Sequence, residues 1–426
     1  MKNLKVSPIG SFDGSISDIA ADKSISHRAA IFSLLSDKPT KVRNFLQAED
    51  TLSTLKIVGQ LGAKVEKKED KIIITPPKNI KEPDDILDCT NSGTAMRLLM
   101  GFLSTKKGSF VLHGDRYLAN RPMKRISIPL RKIGANINGR DDGNFSPICI
   151  QGKKLKAFKY ESKIPSAQVK SAMILAALDL DEKSLYKEHE LSRDHSERML
   201  RGMGARIEQE GEFLGIYPQK NPLKPLDIRV PADPSSGFFF AVLVALIPNS
   251  SIVLKNILLN KTRIEAYKIL QKMGLDIKFI KKEDLYDEVG DIVIKHSSLK
   301  GVEVSKNISW LIDEIPALSL AFAIANGKSV VKNAKELRVK ESDRISSVVE
   351  NLRKCGIEVN EFEDGFEVIG GELKGAKVKS YGDHRIAMSF IIAGLRCGME
   401  VEDCECINTS FPNFLNLLKD LGAKCK

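Results

Sequence analysis

The chain has 426 residues, 42% of them hydrophobic, which is more than one core usually organises, so two domains are expected. Its 66 Lys and Arg against 55 Asp and Glu give a net charge of +11, which admits nucleic acid, an anionic membrane surface or a small polyanionic substrate as partner. Aromatic residues at 6% leave few stacking platforms for single-stranded nucleic acid, no apolar run reaches the roughly 18 residues of a membrane span, and the start MKNLKVSPIGSFDG lacks the apolar core of a secretion signal. A cytoplasmic protein with no membrane and no nucleic-acid partner is therefore expected.

Along the chain, Gly10 to Gly14 reads as a loop and Ser15-Ile16-Ser17 as a short strand, and residues 1–20 are expected to pack with the second domain. A helix start follows at Lys23-Ser24-Ile25-Ser26, and five more recur downstream: Asn91-Ser92-Gly93-Thr94, Pro165-Ser166-Ala167-Gln168, Pro234-Ser235-Ser236-Gly237, Asp313-Glu314-Ile315-Pro316 and Gly382-Asp383-His384-Arg385. Each leads into a stretch that is apolar nearly all round, such as Ala29 to Leu35 or Ile386 to Leu395, so these helices should be buried with sheets outside them.

A second, closing signal accompanies each start. Gly62, Gly134, Gly204, Gly274, Gly356 and Gly422 each follow an apolar residue and precede a strand-like run, at spacings of 72, 70, 70, 82 and 66 residues. Glycine there suits the left-handed residue that ends a helix. One supersecondary unit thus occurs six times, three per domain, with the prolines at 231 and 234 marking a boundary that places the domains at 21–231 and 232–426. The seven cysteines are odd in number and lack zinc-site spacing, so reduced thiols and no metal are expected.

Buried helices present free amides and positive dipole ends at one face of each domain, a ready anion site. Basic residues lie at or just before several of those ends: Lys23 and Arg28, Arg121, Arg193 and Arg385. Singly, each reads as a surface residue; their recurrence at equivalent places in the repeat favours recognition of carboxylate or phosphate. In Leu337-Arg338-Val339-Lys340-Glu341-Ser342-Asp343-Arg344, a helix beginning near Lys340 would put Glu341 and Arg344 on one face, as an ion pair or sharing a substrate. With Asp313-Glu314 nearby in the repeat, the second domain has carboxylates for both removing and donating a proton, the two tasks of an addition and elimination.

Asp22-Lys23-Ser24-Ile25-Ser26-His27-Arg28, Asn91-Ser92-Gly93-Thr94-Ala95-Met96-Arg97, the Leu337–Arg344 string and Asp383-His384-Arg385-Ile386-Ala387-Met388 together resemble the EPSP synthase family of enolpyruvyl transferases, almost end to end. The resemblance implies an α/β fold of two inside-out domains, each of three βαβαββ repeats with buried helices and outer sheets. It implies transfer of the enolpyruvyl group of phosphoenolpyruvate to the 5-hydroxyl of shikimate 3-phosphate, in an interdomain cleft and without cofactor. It also implies that Lys23, Ser24 and Arg28 hold shikimate 3-phosphate, with Ser166, Gln168 and Arg193 continuing that site. Lys23, Gly93, Arg121, Gln168, Arg344 and Arg385 would surround phosphoenolpyruvate, and Asp313 and Lys340 would meet the shikimate hydroxyls. Glu341 is then the proton donor, Asp313 the base and Lys23 the aid to phosphate departure. A monomer is the simplest expectation.

Three positions depart from a common family pattern: Ser410 where many members carry Lys or Arg, Ala167 in place of one of two serines, and Glu336 where Asn is frequent. Two rival readings remain. The sister transferase acting on UDP-N-acetylglucosamine typically has a reactive cysteine near the arginine of the first domain, and residues 113–122 contain none. A basic RNA-binding protein of related repeat fold would give no reason for Asp313 and Glu341 beside basic residues.

Overall fold

A computed structural model describes residues 3–284 and 286–425. Internal packing divides the chain into two units: Ala21–Val230, here the first domain, and the residues up to Ala20 joined by those from Pro231 onward, here the second. No helix among the described residues is long and apolar enough to cross a membrane.

The principal helices of the first domain are α1 (Lys23–Phe32), α2 (Glu49–Gln60), α3 (Gly93–Leu103), α4 (Lys124–Lys132), α5 (Ala167–Ala177) and α6 (His195–Gly202). Those of the second are α7 (Pro234–Leu246), α8 (Glu265–Met273), α9 (Ile315–Ala323), α10 (Arg344–Lys354), α11 (His384–Cys397) and α12 (Phe414–Asp420). Odd and even helices differ as their sequences dictate. In α7 and α9 every residue is buried, and in α3 all but Thr94 are. By contrast α8 buries only Ala266, Tyr267, Leu270 and Met273, one stripe at helical spacing.

The odd helices begin at the six predicted starts, and side chains cap most of them. Asp22 accepts from the Ile25 amide, Ser92 from Ala95, Ser166 from Val169, Asp233 from Ser235 and Asp383 from Arg385. Each even helix is closed by one of the six repeated glycines, whose φ angles run from 79° to 115°. One start is displaced from expectation: residues Lys335–Val339 form a 3-10 turn, Lys340 is extended, and α10 begins only at Arg344, because Asp343 caps it through the Ser346 amide.

Among the described residues, five sheets have four strands and one has three. In the first domain, Gly108–His113 pairs parallel with Leu87–Asp88 and antiparallel with Phe145–Gly152, which in turn pairs with Asn136–Gly139. The strand Phe145–Gly152 alternates buried and exposed residues, as a sheet with one face on the core requires. The sheet around Thr40–Arg43 takes its parallel neighbour, Asp227–Arg229, from the far end of the same domain. In the second domain that role falls to the amino-terminal tail, where Asp13–Ile16 runs parallel to Ser251–Leu258 and Leu4–Val6 pairs antiparallel with Met399–Glu402.

Candidate active site

In the first domain the helix starts carry a set of fixed cations. Lys23, the first residue of α1, forms a salt bridge with Asp50 of α2, a buried carboxylate. One turn later, Arg28 donates from Nε to Ser196 Oγ at 2.8 Å, from Nη1 to the Ser24 carbonyl at 3.0 Å and from Nη2 to Ser171 Oγ at 3.1 Å. The two serines are themselves 2.6 Å apart, and Ser171 donates to the Ala167 carbonyl. Three acceptors thus hold one planar guanidinium in a single orientation.

Arg97, on the fourth residue after Gly93, donates to Gln168 Oε1 at 2.5 Å and to the Pro122 carbonyl at 3.2 Å. Gln168 passes the constraint on through Nε2 to Thr94 Oγ1 at 3.0 Å. Gly93 faces Arg121 closely: a Cβ placed on Gly93 would lie 3.0 Å from Arg121 Nη1. The loop carrying Arg193 is tethered from beneath, since Glu188 accepts from the Ser192 amide at 2.8 Å and its hydroxyl at 2.7 Å. Glu188 also meets the buried Lys170 at 2.6 Å, and Lys170 meets Glu197 at 2.8 Å. Burial works against the Lys170 charge, but the two carboxylates outweigh it and its pKa rises.

The second domain gathers carboxylates around one arginine. Arg344, the first residue of α10, donates from Nε to Asp383 at 2.8 Å, from Nη1 to Asp313 at 3.1 Å and from Nη2 to Glu341 at 2.7 Å. Its burial opposes the charge, yet Asp383, then Glu341 and Asp313, hold the guanidinium firmly protonated. Lys340 is half-buried, and desolvation brings its ammonium down to about 8; Asp313 opposes the drop and Arg344 adds to it. Arg385 donates to the Ser235 carbonyl at the start of α7, 3.2 Å away, and lies over the Phe239 ring.

Within each domain the anticipated residues therefore fall at neighbouring helix ends. Lys23, Ser24, Arg28, Gly93, Arg121, Ser166, Gln168 and Arg193 lie at the starts of α1, α3 and α5 or in the loops before α4 and α6. Asp313, Lys340, Glu341, Arg344 and Arg385 lie at the starts of α9, α10 and α11. The Glu341–Arg344 ion pair is made, and Asp313 shares the same guanidinium. Asp50, Arg97, Ser171 and Ser196, which orient these groups, escaped the sequence reading. Arg97 lies within the Asn91–Arg97 string, and Asp50 and Ser171 sit in helices whose starts bear no basic residue, whereas Ser196 follows Arg193 by three positions and only its distant partner Arg28 marks it. The departures are mild in their settings: Ala167 merely follows the cap Ser166, and Ser410 is buried. Cys89 is not primed as a nucleophile, since burial pushes its thiol pKa far up.

A family profile described as EPSP synthase (3-phosphoshikimate 1-carboxyvinyltransferase) matches residues 6–418. A 3-phosphoshikimate 1-carboxyvinyltransferase of a Nitratiruptor species is 61% identical over 426 residues, covering 99% of this chain and 98% of the relative. One from Campylobacter concisus is 60% identical over 410 residues, covering 96% of each. The solved structure of EPSP synthase from Acinetobacter baumannii superimposes with a TM-score of 0.88 at 36% identity, over 100% of both chains.

Proposed function

The chain belongs to the EPSP synthase family, and we propose, from that membership and the side-chain geometry, how it transfers the enolpyruvyl group of phosphoenolpyruvate to shikimate 3-phosphate. Lys23, Ser24 and Arg28 hold shikimate 3-phosphate, Arg28 by its carboxylate, with Gln168 continuing the site and Ser166 and Arg193 at the 3-phosphate. Lys23, Gly93, Arg121, Gln168, Arg344 and Arg385 surround phosphoenolpyruvate. Asp313 and Lys340 meet the shikimate hydroxyls.

The reaction adds and then eliminates. Glu341 delivers a proton to C3 of phosphoenolpyruvate, which leaves C2 electron-poor, and the 5-hydroxyl oxygen attacks C2 as Asp313 takes its proton. A C3 proton then returns to the Glu341 carboxylate as the C2–O bond to phosphate breaks, with Lys23 stabilising the departing phosphate. The observation that carries this reading is Arg344 with Asp313 at 3.1 Å and Glu341 at 2.7 Å, because it holds an acid and a base apart yet on one scaffold. The protein works as a monomer in the cytoplasm.

Phosphate release from phosphoenolpyruvate tests the assignment. Shikimate 3-phosphate should support it, whereas UDP-N-acetylglucosamine should not; release with only the nucleotide sugar would overturn the acceptor, and salt-sensitive RNA binding without turnover would overturn the activity.

A further inference from the structure

Three helices of the first domain meet at one fully buried imidazole. His27, on α1 between Lys23 and Arg28, has no exposed surface. Its Nδ1 lies 2.8 Å from Thr54 Oγ1 on α2, and its Nε2 lies 3.1 Å from Oγ of Ser92, the cap of α3. Neighbouring bonds assign the protons. The Thr54 hydroxyl donates to the Asp50 carbonyl at 3.1 Å, so it accepts from His27, and Nδ1 carries the hydrogen. Nε2 is then a lone pair. Ser92 donates to it while accepting from the Ala95 amide at 3.1 Å.

We propose that His27 is a positioning residue for enolpyruvyl transfer: a neutral Nδ1–H imidazole that ties the Gly93 start of α3 to the helices bearing Lys23 and Asp50, and so governs how well phosphoenolpyruvate is held. The inference rests on the assignment of Gly93 and Arg121 to phosphoenolpyruvate. Several observations agree with it. Burial, reinforced by Lys23 and then Arg28, holds the imidazole pKa well below its ordinary value, and the Asp50 carboxylate on α2 is engaged with Lys23. A protonated ring would put a hydrogen on Nε2 and remove the acceptor for Ser92. Freed of that acceptor, the Ser92 hydroxyl can turn away from its cap geometry, and the backbone at Gly93 shifts. With Arg121 3.0 Å from a Gly93 Cβ position, a movement of a few tenths of an ångström there changes the space left for a ligand.

His27→Ala and His27→Asn in the full chain test this, the amide of Asn offering one donor and one acceptor at a spacing close to that of the two ring nitrogens. His27→Ala should raise KM for phosphoenolpyruvate about five- to twentyfold while changing KM for shikimate 3-phosphate less than about threefold, and His27→Asn should recover most of the loss. A folded Ala variant with unchanged KM for phosphoenolpyruvate, an equal rise in both KM values, or no recovery with Asn overturns the proposal. Nitrogen NMR of the unmodified protein decides the matter even where neither variant folds: His27 should remain neutral with hydrogen on Nδ1 where an ordinary imidazole titrates, and an Nε2–H tautomer or an ordinary imidazole titration refutes it. Gly93→Ala run alongside separates the premise from the inference. If it leaves phosphoenolpyruvate untouched, the pocket assignment falls and this inference with it; if it weakens phosphoenolpyruvate while His27→Ala is inert, only the role of His27 falls.

Discussion

Arg344 presents the same guanidinium to Glu341 and Asp313, so the two carboxylates can be tested without dismantling their support. In Glu341→Gln the amide oxygen still accepts from Arg344, but no proton is available for C3. Turnover should fall roughly 10²- to 10⁴-fold with both substrates still bound, as read by steady-state kinetics and calorimetry; lost affinity with preserved turnover would make Glu341 an organiser instead. Lys340 adds a pH dependence. Its pKa near 8 lies below the roughly 10.5 of an unfolded lysine, so the unfolded chain binds more protons between these values. Stability from this group is therefore complete above about pH 10.5 and is lost as pH falls through 8. Binding should run the opposite way: kcat/KM for shikimate 3-phosphate should decline above pH 8, and Lys340→Arg should push that decline to higher pH. An unmoved alkaline limb in the Arg variant assigns it to another group. At Gly93 the added methyl of an alanine would meet Arg121 at 3.0 to 3.3 Å and displace its guanidinium. We expect glyphosate to compete with phosphoenolpyruvate in the unmodified enzyme. Gly93→Ala should weaken glyphosate by roughly 1 to 3 kcal/mol and phosphoenolpyruvate by less, by inhibition kinetics. Equal losses would show that Arg121 yields the same way for both ligands.

At the scale of helices and strands, the closing glycines separate backbone strain from packing. Gly204 has φ of 97° and nothing within 4 Å of the position an alanine methyl would take, so Gly204→Ala costs only the left-handed conformation. Chemical denaturation should show a loss of about 1 kcal/mol with kinetics unchanged, whereas altered KM would connect that turn to the site. These turns and the buried odd helices were legible because both signals are local: an all-apolar stretch, and glycine where φ must be positive. The start of α10 was misplaced by four residues for an equally local reason. Lys340 and Glu341 are good helix formers, but the Asp343 side chain takes the Ser346 amide and sets the first turn later. Partners across helices were not legible. Ser196 reaches Arg28 over 168 positions of chain, and no periodicity within either helix announces it.

For the molecule as a whole, the net charge of +11 was ambiguous until the cations were seen at helix starts, and the repeat was visible only as spacing. The amino-terminal strand has a consequence in time. Asp13–Ile16 pairs with Ser251–Leu258 across 238 positions, and the entire first domain is encoded between them. On a ribosome adding roughly 5 to 20 residues per second, that strand precedes the first domain and waits on the order of 10 to 50 seconds for its partner, while the first domain gathers every strand it needs. Residues 1–17 are thus an early product held for late use, and a chain lacking them should complete the first domain normally but expose Ser251–Leu258 as an unprotected sheet edge. Hydrogen exchange on the shortened protein should find protection retained in Ala21–Val230 and lost at the alternate amides of Ser251–Leu254 that face Asp13–Ile16, with aggregation following; equal protection in both domains would mean that this sheet does not depend on residues 1–17.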